Sequence, residues 1–155
     1  MKIPNVKRFK ALKKQKGFTL VEIAIVLAIL AMLIYFAIPG LLQNKEDAKY
    51  STALSLLGKD FPSAITKQVA RTNVCSAASI TKALLQDRGL PPLTVWNTAW
   101  TVSSVTSNTV TINYTIDSSD TKVAGDMATA LASSNNVVSA TASGTGSINV
   151  AYRCN

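Results

Sequence analysis

The chain has no histidine and only two cysteines, Cys75 and Cys154. Imidazole is the usual proton carrier near neutral pH, and with thiolate it is the usual ligand of zinc. A Ser–His or Cys–His hydrolytic centre is therefore excluded. Two thiols without histidine or clustered acids also make a poor transition-metal site. There is no nucleophile elbow and no paired acidic motif, so neither an enzyme nor a cofactor is expected. Charge is scarce as well, at 15% of 155 residues, a length that suits one domain with a modest core.

The formal net charge of +8 would suggest nucleic acid or an anionic surface. Its distribution removes that suggestion. Lys2, Lys7, Arg8, Lys10, Lys13, Lys14 and Lys16 precede Phe18 with no acid among them, which leaves nine cations against eight acids in the rest. Nucleic acid is not an expected partner, although Lys59, Lys67, Arg71, Lys82 and Arg88 could gather in three dimensions.

The long apolar run is the dominant feature. Phe18 to Ile38 is 21 residues whose only charge is Glu22. As a helix it spans roughly 32 Å at about 1.5 Å per residue, enough to cross the hydrocarbon core. Cations precede it and a balanced set follows, so residues 1–17 read as cytoplasmic and the C-terminal bulk as lying on the far side. A removable secretory signal would have a shorter core and a small-x-small cleavage site, which "IPGLLQNK" does not offer. A buried core helix leaves the basic block unexplained. A plain signal anchor leaves Glu22 unexplained, because a carboxylate near a bilayer needs a partner.

"KGFTLVEIAIVLAIL", Lys16 to Leu30, resembles the N-terminal signature of type IV pilins and the related pseudopilins of type II secretion. The resemblance covers about residues 14–42. It implies cleavage between Gly17 and Phe18 by a membrane-embedded prepilin peptidase, and N-methylation of Phe18. It implies that Glu22 pairs with the terminal amine of a neighbouring subunit, relieving a costly isolated charge and selecting axial register. It also marks Pro39 as an assembly position where the helix yields within a filament, since proline lacks an amide proton. The implied partners are further copies of the chain, the peptidase/N-methyltransferase, an inner-membrane assembly platform and membrane lipid before assembly. The implied location is a single-pass precursor in a bacterial inner membrane and then an extracellular filament.

Beyond the apolar run, Leu54, Leu57, Phe61, Ile65 and Val69 recur at three- and four-residue steps, as in an amphipathic helix ending near residues 71–73. The expected organisation is a leader at 1–17, a transmembrane polymerisation helix at 18–40, its amphipathic continuation at 41–72 and a globular head at 73–155. The fold class is α+β, with the long helix packed on a head holding a roughly four-stranded antiparallel sheet. Ser76 or Ser79 is expected to cap a helix with Ile80, Ala83 and Leu84 on its face and Gly89 as its stop. Val102, Val105, Val110, Ile112, Tyr114 and Ile116 predict a hairpin around a Ser-Asn turn. Val123, Met127, Ala130 and Leu131 predict one helical face, and Gly144–Gly146 a turn between two final strands. Trp96 and Trp100 suit core packing or an adhesive contact.

Outside the cytoplasm Cys75 and Cys154 would read as a disulfide, with free thiols as the alternative. The resemblance points to the bond, which closes a loop of about 80 residues with a chain-entropy contribution of about 4.5 kcal/mol. The resemblance ranks a major pilin first, serving adhesion, twitching motility or a related surface role. A minor pilin or a type II secretion pseudopilin is the alternative. Major pseudopilins often carry an acidic calcium loop, and "SGTGSINVAYRCN" contains no acid. Phe18 and Pro39 look like the type IVa group, but the 17-residue leader is longer than that group usually has, and the strand–helix–strand order at 109–142 resembles type IVb heads.

Overall fold

A computed structural model describes residues 18–154, apart from the side chains of Pro39, Leu41 and Leu42. Gly17 and the rest of the leader lie outside the described residues. The chain divides into two compact units between Leu41 and Leu42.

Helix α1, Leu20–Ser55, opens in the first unit. Its first nineteen residues are nearly all Leu, Ile, Val, Ala, Met and Phe, and every described side chain from Phe18 to Ile38 is exposed. A helix apolar on all faces has no single core-facing stripe and suits lipid or the flanks of like helices. By length and composition it is the one helix among the described residues able to cross a membrane. The backbone stays helical through Pro39 and Gly40, so no break marks that point in the isolated chain.

In the second unit the helix departs from α geometry at Leu56–Asp60, which forms a π-turn before α2, Phe61–Thr72. The sequence supplies the reason. Pro62 has no amide proton, so an α-helical register would strand the carbonyl of Gly58. In the wider turn the Phe61 N–H reaches back to the Leu56 carbonyl. The Leu57 carbonyl then has no helical donor, since its π partner would be Pro62. The Tyr152 hydroxyl donates to it at 2.8 Å. α2 ends on Asn73, whose left-handed φ of 53° lets its N–H cap the Val69 carbonyl.

The sheet is β1 (Trp100–Val105), β2 (Thr109–Thr115), β3 (Val137–Ala142) and β4 (Ser147–Arg153), all antiparallel and in the order β1-β2-β4-β3. The fold is thus α+β with the expected antiparallel sheet. Strict alternation on β2 and β4 sends Val110, Ile112, Tyr114, Ile148, Val150 and Tyr152 inward, and Thr, Asn and Ser outward. The inward face meets Leu57, Phe61 and Ile65 of the helix. Phe61 is the centre of that contact: its ring lies edge-on to Trp100 at 5.0 Å and to Tyr114 at 6.2 Å, and stacked on Tyr152 at 6.3 Å. The helix α4 that crosses from β2 to β3 spans Val123–Ala132 and completes the core with Val123, Ala124, Met127, Ala128 and Leu131.

Two local expectations need correction. Helix α3 is shorter than expected, Lys82–Gln86, and its N-cap is Thr81 rather than Ser76 or Ser79. Thr81 accepts from the Leu84 N–H at 3.3 Å, whereas Ser76 and Ser79 bond to each other in a preceding turn. The later start rotates the apolar face, so Leu85 is buried and Ala83 exposed. On α4 it is Ala128, not Ala130, that faces inward. Gly89 stops α3 with a φ of +103°, a conformation that a Cβ would strain.

Candidate functional site

The candidate residues Phe18 and Glu22 lie at the start of α1. Phe18 is 79% exposed. Thr19 forms the N-cap: its Oγ1 accepts from the Glu22 N–H at 3.2 Å and its carbonyl from the Ile23 N–H at 3.2 Å. Thr19-Leu20-Val21-Glu22 is the S/T-x-x-E spacing of a helix start. That spacing is the local signal by which the sequence marks Thr19 as the cap. Glu22 therefore sits in the first turn, where unpaired backbone N–H groups favour negative charge. Among the described residues no cation pairs with it, the one ion pair there being Lys49–Glu46. The geometry leaves an exposed carboxylate at the helix start, in a surround of apolar side chains, open to a cation from elsewhere.

The second unit has its own polar junction at Glu46, which sequence reading missed. One carboxylate oxygen accepts from the Lys49 ammonium at 2.7 Å. The other accepts from the Trp96 indole N–H at 3.2 Å and the Ser118 hydroxyl at 3.1 Å. Glu46 thereby ties the helix to the loops on either side of the β1–β2 hairpin. The Lys49 hydrogen bond does most to hold its carboxyl below the usual range, partial desolvation opposes this, and the indole and hydroxyl donors add to the lowering. No local pattern announces such a junction, because its partners lie 50 and 72 residues away.

Cys75 and Cys154 form a disulfide with a Cα–Cα distance of 6.0 Å. Trp96 and Trp100 are both buried; Trp100 donates its indole N–H to the Pro91 carbonyl at 2.7 Å. An adhesive role for this pair is therefore withdrawn in favour of core packing. Asn113 is half-buried on β2 and donates to Asn149 across to β4 at 2.8 Å.

The described chain thus has a capped helix, apolar on all faces, with one carboxylate in its first turn, and a separate disulfide-closed α+β unit. The family model described as "Prokaryotic N-terminal methylation motif" matches residues 12–36. The chain is also 46% identical over 46 residues to the type II secretion system core protein G of Vibrio cholerae serotype O1. That match covers 30% of this chain and 32% of the relative's length. No solved structure matches it significantly. The motif and the match make the chain similar, over its N-terminal segment, to type IV pilin-like proteins with a prepilin-type signal. Signal and apolar helix fit a membrane-anchored precursor.

Proposed function

We propose that the chain is a structural subunit that polymerises through its N-terminal helix into a type IV pilus, as a major pilin. The observation that carries the reading is Glu22: a lone carboxylate in an apolar helix, in the first turn after Thr19, within a matched methylation motif. The prepilin peptidase cleaves between Gly17 and Phe18 and methylates the new amine. The precursor waits in the inner membrane with residues 18–40 in lipid, and the unit from residue 42 onward lies on the far side. On assembly the Phe18 amine of one copy meets Glu22 of another and neutralises it in a medium of low dielectric. The helix around Pro39, whose missing N–H leaves the Tyr35 carbonyl without a donor, is where it yields in the filament.

A pseudopilin of type II secretion is the second reading, favoured by the match to core protein G. Deletion and shearing separate the two. A major pilin leaves abundant sheared surface filaments, lost on deletion, with protein export intact. A pseudopilin leaves no such filaments, and its loss stops export. The Glu22→Val variant tests the chemistry in either case: it should be processed and accumulate in the membrane, unassembled. Normal assembly of that variant would contradict the role given to Glu22.

A further inference from the structure

Arg88 is held from below by a buried carboxamide. Gln68, 2% exposed, accepts from the Arg88 Nε–H at 3.0 Å and donates its own N–H to the Ser79 carbonyl at 2.9 Å. Both ends of Gln68 are committed, so the guanidinium is fixed through Nε while its two terminal amino groups remain without a partner among the described residues. Arg88 lines a cleft of about 230 Å³ together with Lys67, Ser63 and Asp60. Neither cation reaches ion-pair distance of Asp60, since Lys49–Glu46 is the ion pair among the described residues. A positioned guanidinium fork beside an exposed ammonium is a receptor for a carboxylate or a phosphate.

The same unit carries the complementary feature. Asp47 and Asp126 are exposed, their carboxylates accept no hydrogen bond among the described residues, and they line a second cleft of about 350 Å³ with Tyr50, Glu46 and Asp120. From residue 42 onward there are nine cations and seven acids, a near balance that disfavours general polyanion binding and favours self-association of opposed patches. Asp47 and Lys67 lie 20 residues apart on the helical stretch, roughly 30 Å at about 1.5 Å per residue. The two patches therefore cannot meet within one molecule.

We propose that the Arg88–Lys67 cleft receives the Asp47 and Asp126 carboxylates of a second copy of this chain. The contact is heterologous, patch to opposite patch, and so propagates along a row of copies rather than closing a dimer. It rests on the filament reading for its biological setting, and it can be tested apart from it.

Zero-length carbodiimide coupling joins a lysine to a carboxylate only at contact. Membranes containing the full-length processed chain, and any filaments sheared from the same cells, are treated and mapped by mass spectrometry. A Lys67–Asp47 or Lys67–Asp126 isopeptide is expected, and the separation above requires that it joins two copies. Arg88→Glu should lower its yield about tenfold, as expected when one ion pair is replaced by a repulsion. Arg88→Lys, which keeps the charge, should retain most of it. An intact Cys75–Cys154 bond reports that each variant is folded. Filaments without the cross-link overturn the contact and leave the filament reading standing. The cross-link without filaments does the reverse. Absence of both overturns both. Loss of retention on immobilised duplex DNA in Arg88→Glu, with no cross-link in the parent chain, would give the cleft to a phosphate backbone instead.

Discussion

Replacing Tyr152 by Phe should destabilise the second unit far more than loss of a surface hydroxyl would. The Tyr152 hydroxyl is the donor to the Leu57 carbonyl, and both residues are fully buried. The carbonyl needs it for a reason encoded five residues on: the π-turn gives the Phe61 N–H to Leu56, and Pro62 has no N–H to give to Leu57. Tyr152→Phe keeps the ring, its stack on Phe61 and its volume. It therefore isolates one buried, unsatisfied acceptor, a defect that costs about 1–3 kcal/mol. At about 2 kcal/mol the unfolding midpoint of a unit this size falls by about 8 °C. Thermal unfolding of the full-length chain in detergent, followed by near-ultraviolet circular dichroism, reads that shift. A coupling between Tyr152 and Pro62 is also expected. Pro62→Ala restores an N–H at the right place, so the loss from Tyr152→Phe should be smaller in that background. A drop below about 0.5 kcal/mol in the wild-type background, or equal losses in both backgrounds, would refute the reasoning.

Three further outcomes are expected. Replacing both Cys75 and Cys154 by serine should cost about 4.5 kcal/mol by the chain-entropy estimate, seen as a lower denaturant midpoint. Glu46 has a folded-state pKa below its unfolded one, so its contribution is present above the ordinary carboxylate range and is lost as pH falls through the lowered value. Acid titration of Trp96 fluorescence should show that loss, and Glu46→Gln should flatten the titration; an unchanged titration in the variant would contradict the Glu46–indole contact. Thr19→Ala removes the cap on α1 and should weaken its first turn by about 1 kcal/mol, read as faster amide exchange at Glu22 and Ile23.

Legibility in the sequence followed the range of the interaction. The apolar helix, the Leu57–Phe61–Ile65 stripe and the two hairpins were readable because 3.6- and 2-residue periods are local. The start of α3 was misplaced because Ser76, Ser79 and Thr81 are all competent caps, and only packing of Leu85 selects the last. The π-turn before Pro62 had no local signal, since it is tolerable here only because Tyr152 waits 95 residues away to satisfy Leu57. The Glu46 junction and the Gln68–Arg88 support were silent for the same reason. At the candidate site, Glu22 was conspicuous as an acid in an apolar run, whereas Thr19 was marked only by its spacing to Glu22.

The measurement that bears most directly on the account is the intact mass and N-terminal sequence of the chain recovered from membranes and from sheared surface material. The account predicts a mature species that begins at N-methylated Phe18 and is two hydrogens lighter than its reduced form, enriched in the sheared fraction. A chain that still begins at Met1 in cells with an active prepilin peptidase would contradict it, and Glu22 would again lack a partner.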